Sequence, residues 1–231
     1  MSAFYALAFD DRIELLTDGA IYDDDGTLLD IRRKVWTSDR LPMAITGRGH
    51  SGMVEAMATA MLFAASIGSF DEAVERIDGM LRRRAEKGAP ADFEMVLVGV
   101  SETRGPVIYY AASCDAHGIG VEPWQLHDAG REFGGGNVVD ASDLDADDGL
   151  LNIGVELFER QRAVPGANPT RPDLPDLYGI GGHIDWTVVA ANGAETLRIW
   201  EWPDVIGEPI DPKREGREAT RAIYCGRNVR V

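Results

Sequence analysis

The sequence predicts a layered α+β domain in which two antiparallel sheets lie between helices. Three observations predict it. Short apolar runs punctuated by turn residues fill the first 46 positions. The apolar period then lengthens to that of a helix between Met53 and Leu81. Strand-like runs return from Phe93 and are interrupted by one further helical stretch.

Phe4 to Phe9 and Ile13 to Leu16 flank Asp10-Asp11 and read as a hairpin leading into Thr17-Asp18-Gly19. Asp23-Asp24-Asp25-Gly26 ends on Asp-Gly, the strongest turn signal in the chain. Leu28 to Trp36 and Pro42 to Thr46 add two strands, so residues 1–46 read as one compact antiparallel sheet. Met53, Met57, Ala60, Met61 and Ala64 mark a first helix. The second opens on Ser69-x-x-Glu72, a capping box, and carries basic residues at its end before Gly88 and Pro90.

Phe93 to Val100 and Pro106 to Ala112 are rich in β-branched and aromatic residues and are joined by the polar turn Ser101 to Gly105. Gly134-Gly135-Gly136 reads as a turn. The last aspartate of an acidic stretch, Asp148, is placed to cap a helix from Gly149 to Gln161. Val164 to Pro175 reads as a loop. Ile184 to Ala190 and Glu195 to Trp200 form a final hairpin across Asn192-Gly193. Residues 203–231 read as an irregular basic tail, and no linker divides residues 1–231.

Composition narrows the function. Of 231 residues, 39 are acidic and 23 basic, a net charge of −16. Phosphate backbones and anionic membranes repel such a chain, which argues against nucleic-acid and membrane-surface partners. No run reaches the roughly 18 apolar residues of a membrane helix. Cys114 and Cys225 suit free thiols in a reducing compartment, so a cytoplasmic location is expected. The four histidines, His50, His117, His127 and His183, lack metal-ligand spacing and read as surface or loop residues. The aspartates of 140–148 lack calcium-loop spacing, and no phosphate-binding or dinucleotide fingerprint is present. Neither metal nor cofactor is expected. Cys114 and His117 are close in sequence, which is not how thiol dyads are usually built. Trp186, Trp200 and Trp202 read as core or subunit interface.

One spacing points to chemistry. The chain has three lysines among its 23 basic residues, so Lys34, in Arg-Arg-Lys, stands out against arginine everywhere else. A compact, titratable ammonium does what arginine cannot. Asp18 lies 16 residues after Ser2, and Lys34 lies 32 after it. Thr46-Gly47 precedes the first helix. With the predicted element order, these residues resemble the opening of the N-terminal-nucleophile hydrolases of the proteasome β-subunit type. Two later segments resemble that family more loosely. Gly134-Gly135-Gly136 stands where the family has Gly-Ser-Gly, and Asp176-Leu-Tyr-Gly-Ile-Gly-Gly resembles Asp-x-Tyr-Ser-Gly-Gly with one insertion. The family serines are here Gly135 and Gly179 or Ile180.

The resemblance implies a four-layer αββα sandwich, self-association through helical layers, and a site of Ser2, Asp18, Lys34, Gly47 and Asp176. Ser2 would become the nucleophile once Met1 is removed, with its own α-amine as base and Lys34 lowering that amine's pKa by like charge. Asp18 would hold Lys34, and the Gly47 N–H would donate to the oxyanion. A retained Met1 would acylate the α-amine. Two function classes stay open: an amide or peptide hydrolase acting from Ser2, and a catalytically inactive relative serving in assembly, as in phage or prophage settings.

Overall fold

The computed structural model describes residues 2–88, 92–115, 118–167 and 173–214. Twelve strands and three helices occur among them. The opening hairpin is β1 (Phe4–Ala8) and β2 (Arg12–Asp18), and a two-stranded ribbon follows, β3 (Ala20–Tyr22) and β4 (Leu28–Ile31). The Asp23 carboxylate accepts from the Asp25 and Thr27 N–H groups, and Gly26 takes φ 82°, which closes the ribbon's turn. β5 (Val35–Thr37), β6 (Met43–Gly49), α1 (Ser51–Ala64) and α2 (Phe70–Glu86) come next. β7 (Phe93–Ser101), β8 (Gly105–Ala112), β9 (His127–Asp128) and β10 (Glu132–Gly135) precede α3 (Leu150–Arg162), and β11 (His183–Ala190) and β12 (Gly193–Glu201) close the order.

One five-stranded sheet runs β10-β1-β2-β11-β12 and the other β5-β6-β7-β8-β9, with the ribbon apart from both. All pairings are antiparallel. The first 46 residues therefore do not form one sheet: they are divided among three, and the expected strand 28–36 breaks into β4 and β5. The break frees Arg32, Arg33 and Lys34 from strand structure.

Three large apolar clusters hold the elements. Met57, Met61, Phe70 and Ile77 of the first two helices bury against Ile45, Met95 and Leu97 of β6 and β7. Val96, Val98 and Ile108 meet Phe4, Ile13 and Leu15 of β1 and β2. Leu16 and Ile184 meet Leu150, Leu157 and Phe158 of α3. Alternation explains this: odd residues of β2 join one cluster and Leu16 another, because successive side chains of a strand point to opposite faces.

Three local expectations are corrected. Gly134 and Gly135 are not a turn; they pair with Tyr5 and Phe4 at the sheet edge. A Cβ on Gly135 would lie 2.5 Å from the Phe4 ring, and one on Gly134 would lie 2.8 Å from Tyr5, so aromatic rings occupy the space side chains would need. Asp148 does not cap α3. Gly149 is its N-cap, and the Leu150 N–H donates to Glu14 Oε2 at 2.7 Å. The final turn is Ala191-Asn192, with Gly193 already paired to Ala190. Residues 203–214 carry no helix or strand and are anchored by side chains and backbone: Ile210 is buried, Leu28 donates its N–H to Glu208 O, and Asp204 pairs with Arg162. The rest of the expected basic tail lies outside the described residues, as do Pro90, His117 and Cys225.

Candidate active site around Ser2 and Lys34

The start of β1, the end of β2 and the segment between β4 and β5 bring Ser2, Asp18 and Lys34 together. Lys34 Nζ donates to Ser2 Oγ at 2.9 Å and to Asp18 Oδ1 at 2.9 Å. Lys34 and Asp18 are buried, and Ser2 is half-buried. Burial disfavours the ammonium and pushes the Lys34 pKa below the ordinary lysine range; Asp18 opposes that shift, and Arg32 adds to it.

Asp18 is held by more than Lys34. Its Oδ1 accepts from the Ala3 N–H at 3.0 Å, and its Oδ2 accepts from the Ala20 and Gly181 N–H groups at 3.2 and 3.3 Å. A fully buried carboxylate keeps its charge only with such partners. Gly181 arrives because Arg162 ties its neighbourhood down: the guanidinium donates to Ile180 O and pairs with Asp204, which in turn accepts from the Gly182 N–H at 2.7 Å. The Gly-Gly end of the segment beginning at Asp176 thus reaches the site. Asp176 itself does not. It is exposed and lies outside the pocket beside Ser2.

That pocket is lined by Ser2, Lys34, Gly47 and Val54, with Arg32, Arg33, Trp36, Arg48 and Ser51 around them. Gly47 sits in β6 opposite Met95. A Cβ there would come 2.4 Å from the Glu94 carbonyl oxygen, so the close approach of β7 requires glycine. Arg48 is spent on Glu94, whose carboxylate also accepts from the Tyr110 hydroxyl.

The structure brings together four of the five residues expected from the sequence. It adds the backbone donors Ala3, Ala20 and Gly181 and the arginines flanking the pocket. Arg32 and Arg33 are visible in the Arg-Arg-Lys run, whereas Arg48 and the backbone donors carry no such signal. His183 corrects its expected surface position: it is buried, with Nε2 3.2 Å from Asp185 Oδ2. His50 is exposed, as expected, whereas His127 is half-buried in β9 rather than in a loop. Among the described residues no group of three or more potential metal ligands occurs, and no helix is long and apolar enough to cross a membrane.

No family model matches the chain, and no curated protein matches it. The fold does have solved counterparts. The structure of a Gly-1 mutant of Anbu from Hyphomicrobium sp. strain MC1 aligns with a TM-score of 0.59 over 86% of this chain and 87% of that one. Identity is 10%, so the likeness is one of fold. The chain has a mixed α/β fold that resembles the proteasome-like fold of Anbu.

Proposed function

We propose that the chain is an N-terminal-nucleophile amide or peptide hydrolase acting through Ser2 after removal of Met1. One observation carries the reading: a buried lysine with a depressed pKa lies within 2.9 Å of both a serine hydroxyl and a carboxylate. A serine hydroxyl needs a base. The freed α-amine of Ser2 takes its proton, and Lys34, oriented by Asp18, tunes that amine by like charge. The serine oxygen attacks the substrate carbonyl, the Gly47 N–H stabilises the oxyanion, and the protonated amine returns the proton to the leaving nitrogen. Water then releases the acyl group by the same steps in reverse roles. Asp176 has no step in this scheme.

The three apolar clusters support a four-layer αββα arrangement, and a single domain of residues 1–231 goes with the reading. Self-association and a cytoplasmic location go with the reading, and it needs no metal or cofactor.

Intact mass tests it first. The expected result is loss of one methionine, followed by a single acyl adduct on Ser2 after treatment with a β-lactone and no adduct in Ser2→Ala. A retained Met1 leaves the α-amine acylated and favours the other reading, a catalytically inactive assembly protein.

A further inference from the structure

The pocket beside Ser2 is basic in a chain whose net charge is −16. Its charges are not equally committed. Lys34 is matched by the buried Asp18, and Arg48 by Glu94. Arg32 faces two carboxylates, Asp30 at 3.8 Å and Glu55 at 3.4 Å. Arg33 differs. Its only described ion-pair partner is Asp185, at 3.5 Å, and that carboxylate is shared with the Arg198 guanidinium at 3.3 Å. His183 also reaches Asp185, at 3.2 Å. Arg198 also has Glu201, at 3.0 Å, whereas Arg33 meets Asp185 through Nε alone and so keeps its two terminal nitrogens uncommitted among the described residues. The Arg33 side chain is 53% exposed, and among the described residues its guanidinium makes no hydrogen bond closer than that ion pair. It adjoins Lys34 in sequence and lines the same pocket as Ser2.

A guanidinium presents a planar fork of N–H donors that matches a carboxylate. Asp185 anchors Arg33 from beneath through a fully buried side chain, so the head group is oriented while most of its donors stay available. Elsewhere the acidic surface repels anions, so the pocket is where an anionic chain end or side chain gains.

We propose that Arg33 is a specificity-determining residue that receives a substrate carboxylate next to the scissile amide, which makes the substrate class acidic peptides. The inference rests on Ser2 being the nucleophile, as proposed above. Arg33 acts on substrate binding and takes no part in proton transfer.

Matched peptides test this, identical except for Glu or Gln placed immediately before or immediately after the cleavable bond. Hydrolysis is measured as kcat/KM on the processed chain. Binding is measured separately on Ser2→Ala by tryptophan fluorescence, since Trp36 lines the pocket. The expected result is at least a tenfold preference for one Glu peptide over its Gln partner, reduced severalfold by 0.5 M salt. Arg33→Gln should abolish the preference, and Arg33→Lys should keep part of it, because lysine retains the charge without the fork. Thermal unfolding checks that each variant is folded; if Arg33→Gln is not, Arg33→Lys and the salt dependence decide. Hydrolysis without a Glu preference, or with a preference untouched in the Arg33 variants, overturns the carboxylate site and leaves the hydrolase reading standing. No hydrolysis, with Ser2→Ala still choosing Glu peptides through Arg33, overturns the hydrolase reading and upholds the carboxylate site. Absence of both overturns both.

Discussion

Asp18 gathers a side chain and three backbone groups from four separate stretches of the chain, and its charge is what makes a buried lysine tolerable there. Removing the lysine leaves that carboxylate buried with only amide dipoles for company. Lys34→Met should therefore cost about 3 kcal/mol or more in unfolding free energy. Lys34→Arg keeps the charge and pays only for a larger head group, about 1–3 kcal/mol. Chemical denaturation of the two variants checks the order, and Met milder than Arg would contradict the burial argument. Asp185 makes the complementary case. Burial alone would raise its pKa, but His183, Arg198 and Arg33 outweigh burial and hold it below 3.8. A carboxyl depressed in the folded state adds stability that is fully present above its unfolded pKa and is lost as pH falls through the folded one. Asp185→Asn should accordingly be less stable than the parent at neutral pH, with the gap narrowing as pH drops below about 3.8. A gap that stays constant down to pH 2 would mean that folding does not lower the Asp185 pKa.

Two helices start on a carboxylate borrowed from elsewhere in the chain. Glu14 of β2 accepts from the Leu150 N–H and from Trp186 Nε1 on one oxygen and from Arg12 Nε on the other. Glu102 accepts from the Phe70 and Asp71 N–H groups at the start of α2, beside the Ser69–Glu72 capping box. Both place negative charge where the helix dipole favours it. Burial separates their expected worth. Glu14 is buried, so Glu14→Gln points an amide donor at other donors and should cost about 1–3 kcal/mol. Glu102 is exposed, and Glu102→Ala should cost about 1 kcal/mol or less. Thermal melts of the pair test whether burial sets the difference. The same contacts show what the sequence could reveal. The box at Ser69 is legible because its partners lie three residues apart. Glu14 and Leu150 are 136 residues apart, so the nearby Asp148 looked like the cap. Gly134 and Gly135 looked like a turn because the rings of Phe4 and Tyr5, which make glycine necessary in that strand, lie far away in sequence. Ser2, Asp18 and Lys34 were readable because their spacing is fixed by one local path, out along a hairpin and back through a short ribbon.

At the scale of the molecule, most large apolar side chains among the described residues are covered, and two of the exposed ones share a helix corner. Phe63 is 80% exposed and Ile67 66% exposed, four residues apart where α1 passes into the turn before α2. Neighbouring Gly68 takes φ 74°, and its carbonyl accepts from Arg40. The turn is thus fixed rather than folded back over the two side chains. Leaving both in water forgoes about 1.5–3 kcal/mol for each side chain that a partner surface buried. Under the proposed self-association, this corner is the first place a second copy would cover. The net charge opposes it, since two copies of a chain at −16 repel until salt screens them. Sedimentation equilibrium should therefore show species heavier than 25.2 kDa whose population grows with protein concentration and from about 0.02 to 0.2 M salt. Phe63→Ser with Ile67→Ser should shift that equilibrium back toward the single chain while leaving the melting temperature of the dilute protein almost unchanged, because neither side chain is buried in it. A single 25.2 kDa species at every concentration and salt would remove the assembly from the proposal and leave the Ser2 site to stand within one copy.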